Sequence, residues 1–239
     1  MSSHIVKSFD VEFSEIDAMA ARMGGLAERL LADAFAALER RDPLLAERAI
    51  ASDRQIDQLE QQIQERAIVM IAKRQPMAED LRHIMTVLRI AGDLERIGDL
   101  SKNIAKRALA ISPDNLPRAP MSRLGHMTEL AHRQLKDVLD AFAARDNAKA
   151  LSVWRSDVSL DALYNSVFRE LLTYMMEDPR NIGLCTHLLF GAKNIERIGD
   201  HTTNIAENIH FLVTGEPLTA DRPKGEDTST TLMTTTTGN

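Results

Sequence analysis

The sequence predicts an all-α protein: six long helices forming two tandem, internally repeated antiparallel three-helix bundles. Three observations carry that prediction. Residues Leu94 to Asp99 read LERIGD and residues Ile195 to Asp200 read IERIGD, with Asn103-Ile104-Ala105 answered by Asn204-Ile205-Ala206, all 101 positions apart. A phrase said twice at fixed spacing marks a duplicated structural unit. The composition is helical in kind, with 44% hydrophobic residues but only 4% aromatic and Ala, Leu, Ile, Arg and Glu dominant, which leaves little room for strands. Apolar residues recur at steps of three and four through most of the chain, the period of helices with one buried face.

A second set of echoes tests the duplication. Asp53 and Asp57 recur as Asp157 and Asp161, and Arg41-Asp42 recurs as Arg145-Asp146, each 104 positions on. The register slips by three between the two sets of echoes. An insertion inside a packed helix would rotate every later side chain off its face, so the slip belongs in a loop. The turn at Gln75-Pro76, answered by Glu177-Asp178-Pro179, is the expected place.

Residues 1–9 are expected to be a short polar lead. A first bundle is expected over 10–111, a linker over 112–120, a second bundle over 121–213 and a disordered tail over 214–239. In the first helix Ile16, Met19, Met23, Leu26, Leu30, Phe35 and Leu38 form the stripe, interrupted at Gly24-Gly25 by either a close helix contact or a kink. Arg41-Asp42-Pro43 stops it and starts the second, with proline suited to a first turn. That helix, about 44–73, packs through Ala49, Ile56, Leu59, Ile63 and Met70, and Asp53 and Asp57 are expected to flank the stripe. The third, about 77–111, packs through Val87, Ile90, Leu94, Ile97 and Ile104, with Glu95 and Asp99 one turn apart on another face. Rods of about 30 residues are ~45 Å long at 1.5 Å per residue. The linker holds three prolines, the second half repeats the pattern, and the tail is rich in Thr, Gly and Pro with few bulky apolar residues.

Composition excludes some functions. A net charge of −6 without a basic cluster argues against nucleic-acid binding by phosphate neutralisation. A single cysteine, Cys185, rules out an internal disulfide framework and suits a reducing compartment. No apolar run approaches the roughly 18 residues that span a bilayer, so a soluble cytoplasmic protein is expected. No phosphate loop, nucleophile elbow or kinase signature is present, and no enzymatic activity is expected.

The chemistry-bearing pattern is carboxylate. Each half carries two acidic pairs at four-residue spacing: Asp53 and Asp57 with Glu95 and Asp99, then Asp157 and Asp161 with Glu196 and Asp200. Two carboxylates one turn apart repel, and neighbouring antiparallel helices would gather four of them. An oxygen-rich patch of that kind suits calcium, magnesium, manganese, iron or zinc. Arg96 and Arg197 bonding to the same acids in an ordinary surface network is the alternative. Gly98 and Gly199 precede the second acid of each pair, where glycine disfavours the helix and clears space for either a ligand or a packed neighbour. Glu129 with His132 and Glu207 with His210 are ExxH pairs of the kind a ferritin-like di-metal or metal-storage bundle would use, although they fall at unrelated places in the two halves.

The two ERIGD phrases, the KRQP turn after the second helix, DVLDAFAARD from Asp137 to Asp146 and LLTYMMEDPR from Leu171 to Arg180 closely resemble the PhoU family, from about residue 10 to residue 217. The resemblance implies paired three-helix bundles and a cytoplasmic protein, commonly a homodimer. It also implies an adaptor that links the ATPase subunit of the phosphate-specific ABC transporter to a phosphate-sensing histidine kinase and represses the phosphate-starvation response when phosphate is plentiful. Peripheral attachment near anionic membrane lipids is compatible with that role. Some family members hold multinuclear divalent or ferric metal clusters on E/D-xxx-D pairs, which map here onto Asp53, Asp57, Glu95 and Asp99, and onto Asp157, Asp161, Glu196 and Asp200. Asn194 stands where the first half has the acid Asp93.

Overall fold

A computed structural model describes residues 2–111 and 118–219, with side-chain surroundings for residues 11–111 and 119–219. The described residues form α1 (Ser2–Arg40), α2 (Pro43–Ser52), α3 (Arg54–Arg74), α4 (Glu79–Ala110), α5 (Arg118–Ala144), α6 (Asn147–Glu177) and α7 (Ile182–Thr214), with one 3-10 turn at Pro179–Asn181 and no strand. α2 and α3 are the single second helix of the sequence reading, broken at Asp53. Asp53 keeps helical dihedrals, but its carbonyl accepts from the Ile56 N–H in a tightened turn. Six rods result, three in each half.

Helix α1 begins at Ser2, so the expected lead is drawn into the first rod. No glycine or proline precedes Gly24, and nothing in the sequence stops a helix from reaching back that far. Most of the expected linker, and the tail from residue 220 onward, lie outside the described residues. The start of the tail follows the fold, and Leu218 packs against the core.

The recurring Arg-Asp pair has a local cause. Arg41 and Arg145 end α1 and α5 in the left-handed region, with φ of 56° and 50°. Asp42 and Asp146 then cap the next helices, their Oδ1 atoms accepting from the N–H groups of Leu45 and Lys149 at 3.0 Å. Each dipeptide stops one rod and starts another within two residues, using an N-cap aspartate. The register slip also finds its place. Helices α3, α4 and α6, α7 run unbroken from the second-helix acids to the ERIGD phrases except at the turns after Arg74 and Glu177.

Within each half the rods pack on one another, α1 with α2, α3 and α4, and α5 with α6 and α7. The halves meet through α4 on α7 and α1 on α5. Gly24 permits the second of these contacts, since a Cβ there would collide with the Leu139 side chain of α5. α1 is continuous through this point, so the glycine serves close packing. α4 and α7 run antiparallel, as Arg89 lies over the Phe211 ring at 5.9 Å while Arg107 lies over Phe190 at 5.1 Å. Two modest cores side by side would leave a polar seam; instead one apolar cluster extends from Ile16 through Ile97 and Ile198 to Leu212. No helix among the described residues is long and apolar enough to cross a membrane.

Candidate carboxylate clusters and family relationships

Both ERIGD phrases sit midway along α4 and α7. Between these helices Asp93 Oδ1 accepts from His201 Nδ1 at 2.9 Å and from the Asn204 amide at 3.2 Å. The replacement of an acid by Asn194 in the second half therefore leaves only one such cross-helix carboxylate in this pair of positions.

The structure corrects the expected placement of two acids. Asp53 and Asp157 do not flank the packed stripe; each is 2% exposed. The recurring glycines explain how they fit. A Cβ on Gly98 would lie 3.0 Å from Asp53 Oδ1 and 3.0 Å from Ile56 Cδ1. One on Gly199 would strike Leu160 and stand 3.6 Å from Asp157 Oδ1. The missing methyl lets the partner helix close in and lets a buried aspartate lie against the backbone, so packing and clearance turn out to be one device.

In the first half the four acids converge electrostatically. Partial burial, then repulsion from Asp53 and Asp99, raises the pKa of Asp57 at the rim. Burial likewise raises that of Glu95, with Asp99, Asp57 and Glu60 adding to the effect against Arg96. Lys102, one turn beyond Asp99, reaches back to donate from Nζ to both Asp53 Oδ2 and Asp99 Oδ1. Burial alone would lower its pKa, but these hydrogen bonds prevail and hold it raised and protonated. Arg96 adds contacts of 3.4 Å to Glu95 and 3.7 Å to Asp99, so the surface-network alternative describes the rim. Asp53 Oδ1, facing Gly98, has no hydrogen-bond partner.

The second half carries the same acids with a different counter-charge. Lys193 comes from one turn before Glu196 and pairs with it at 2.7 Å, its Nζ lying 5.2 Å from the Tyr164 ring centroid. Burial still raises the pKa of Glu196, with Asp200 and Asp161 opposing the lysine. Asp157 is buried, and Asp161 and Asp200 are half-buried. The counterpart of Lys102 is Thr203, itself 2% exposed, and the counterpart of Lys193 is Gly92.

Carboxylate oxygens are the right chemistry for a hard cation, and one buried oxygen is orphaned. As the side chains stand, however, no three Asp, Glu, His or Cys residues among those described are grouped to hold one ion. In the first half Lys102 takes the space between Asp53 and Asp99, and that arrangement does not fit a metal alongside the lysine. The ExxH pairs gain no support as a di-metal site. Glu129 and His132 line a shallow pocket against α1, whereas Glu207 accepts from Trp154 Nε1 at 3.0 Å and His210 Nδ1 meets Asn147 Oδ1 at 2.9 Å. Cys185 is buried, as a small core residue.

Two polar features escaped the sequence reading. Lys102 stands three residues after Asp99, a spacing that brings side chains together on a helix and that could have flagged it. His83 could not have been found this way. Its Nε2 meets Asp17 Oδ1 at 2.7 Å, its Nδ1 accepts from Arg145 at 3.1 Å, and its ring stacks on Phe13. The residues involved are remote in sequence and span both halves.

Comparison with known proteins agrees with this architecture. The PhoU domain model matches twice, over residues 20–108 and 124–209. The phosphate-specific transport system accessory protein PhoU homolog of Rhizobium meliloti is 55% identical over 95% of this chain and 96% of its own length. The Caulobacter vibrioides homolog of the same name is 51% identical, covering 94% and 97%. Among solved structures, PhoU from Pseudomonas aeruginosa matches with a TM-score of 0.84 at 38% identity, covering 87% of this chain and all of that one. The phosphate transport system regulatory protein PhoU from Streptococcus pneumoniae gives 0.82 at 30%, covering 88% and 99%. Two copies of one domain, matched almost end to end by such relatives, place this chain in the PhoU family.

Proposed function

We propose that this protein is a non-enzymatic regulator of phosphate uptake. It would work in the cytoplasm as a homodimer, joining the ATPase subunit of a phosphate-specific ABC transporter to a phosphate-sensing histidine kinase and holding the starvation response off while phosphate is plentiful. The observation that carries this reading is the near full-length likeness to relatives named as accessory proteins of phosphate-specific transport. The fold supports an adaptor in physical terms. Long rods sharing one core form a stiff body, whose sides can meet different partners without internal rearrangement. Deleting the gene is expected to raise starvation-gene expression in phosphate-rich medium. Unchanged expression there would overturn the repressor reading, and failure to capture the transporter ATPase or the kinase in a pull-down would overturn the adaptor reading.

The acid clusters support a second, accessory proposal. In this reading Asp157, Asp161, Glu196 and Asp200 form one site for a divalent or ferric ion, and Asp53, Asp57, Glu95 and Asp99 form another that takes an ion only when Lys102 swings aside. What supports it is the grouping of carboxylate oxygens around a buried aspartate beneath a glycine in each half, donors suited to hard cations. Elemental analysis of purified protein against a variant carrying Asp99→Ala and Asp200→Ala tests it; equal metal in both would remove these acids from the account.

A further inference from the structure

We infer that the cavity opened by Gly92 between α4 and α7 is a binding site for an alkylammonium group, supplied by a free polyamine or by a lysine side chain of a partner. This site is separate from the regulatory role proposed above, and no metal at the acid clusters is needed for it. One position separates the repeats here. In the second repeat Lys193 stands where the first has Gly92; its Nζ is held by Glu196 at 2.7 Å and lies 5.2 Å from the Tyr164 ring centroid. A carboxylate and the face of an aromatic ring together cradle an ammonium. The first repeat keeps the carboxylate, as Glu95, and has a second acid, Glu60, where the second has Tyr164. The cradle is present and its lysine is not.

The place that lysine would occupy is open. A Cβ on Gly92 would meet nothing within 4 Å, so no packed neighbour requires this glycine, unlike Gly24, Gly98 and Gly199. Gly92 instead forms part of the wall of a cavity of about 810 Å³. Four acids line it, Glu60, Asp93, Glu95 and Glu207, against two arginines, Arg89 and Arg96. Arg89 lies over the Phe211 ring. The Arg96 side chain is 61% exposed, contacting Glu95 at 3.4 Å and Asp99 at 3.7 Å, so solvent screens much of its charge. Glu60 lies close enough to Glu95 that its repulsion adds to the burial that raises the pKa of Glu95. The excess of negative charge disfavours phosphates and nucleotides and favours a cation. Phe211 and Leu218 in the same wall suit the methylenes that carry an ammonium, which a bare metal ion lacks.

The test is isothermal titration calorimetry of the full-length protein in EDTA, with spermidine and Nα-acetyl-lysine amide as probes, on the wild type, Gly92→Lys, Glu95→Gln and Glu47→Gln. Gly92→Lys gives the first repeat an ammonium of its own and is expected to weaken binding by roughly tenfold or more. Glu95→Gln, which removes the carboxylate of the cradle, is expected to do the same. Glu47→Gln makes an equal change in net charge at an exposed position of α2 outside the cavity wall and is expected to leave the affinity unchanged. Tighter binding of spermidine assigns the site to a free polyamine and tighter binding of the lysine amide assigns it to a partner's lysine; either upholds an ammonium site. Absence of saturable heat with both probes overturns the inference. So does equal weakening by Glu47→Gln and Gly92→Lys, which is the mark of diffuse attraction to an acidic protein. Should Gly92→Lys lose its cooperative melt, Glu95→Gln against Glu47→Gln decides by the same criterion.

Discussion

The two repeats share helices, caps, glycines and acids, yet they neutralise their carboxylates differently. In the first, an ammonium inserts from one turn after the acid pair and ties a buried aspartate to its neighbour helix. In the second, a lysine from one turn before the pair meets a mostly buried glutamate. The backbone therefore conserves a place for negative charge without fixing what opposes it.

The largest effect expected from breaking this difference is at Lys102. Lys102→Met leaves Asp53 buried without its cation, and a buried pair broken on one side costs about 3 kcal/mol, read as a lower urea midpoint in the absence of metal. Removing Lys193, whose side chain is 48% exposed, should cost far less, as solvent can screen the change. Equal losses at both lysines would erase the contrast.

The glycines come next. Gly199→Ala gains helix propensity of about 1 kcal/mol but must displace Leu160, and overpacking of that kind costs roughly 1–3 kcal/mol. A net loss is expected in thermal melts. Gly98→Ala brings a methyl within 3.0 Å of Asp53 Oδ1 and Ile56 Cδ1, closer than ordinary contact but a softer collision than at Gly199, so its loss should be smaller. Asp93→Ala, which strips His201 and Asn204 of a shared acceptor, should cost about 1 kcal/mol by the loss of partly buried hydrogen bonds.

The smallest effect concerns pH. Burial raises the folded-state pKa of Glu196 above its ordinary 4.5, so the native state holds that proton longer than the unfolded chain does. Stability from this group is present below pH 4.5 and is lost as pH rises through the folded value. Glu196→Gln should therefore be at least as stable as the wild type at neutral pH, with the difference shrinking on acidification in urea melts. A variant less stable than the wild type at neutral pH would show that the Lys193 contact outweighs burial.

Much of this arrangement was legible in the residues. The ERIGD echo, the Arg-Asp stops and the three-and-four spacing indicate the rods, their turns and their duplication, because caps and apolar stripes are local or periodic signals. The depth of Asp53 and Asp157 was not legible. Both stand on the buried stripe itself, four residues after Ala49 and Val153 and three before Ile56 and Leu160. An aspartate there reads as a break in the pattern, and only the absence of a side chain at Gly98 and Gly199 on another helix makes room for it. The identity of the opposing lysine was hidden for a related reason, since three-residue spacing occurs on either side of an acid pair and chain geometry selects which one matters. The His83 contacts were beyond reach altogether, as they join α1, α4 and the α5–α6 turn.

The apolar cluster that α4 and α7 share has a consequence for ancestry. Because these helices meet antiparallel and each carries the same phrase at its midpoint, either half severed from the other would expose a greasy flank shaped to receive a second copy of itself. A gene encoding half of this chain could thus have built the same object from two identical polypeptides. Fusion then freed each copy to drift, and the exchange of Lys102 for Thr203 is the kind of divergence that a symmetric pair of identical chains could never have recorded.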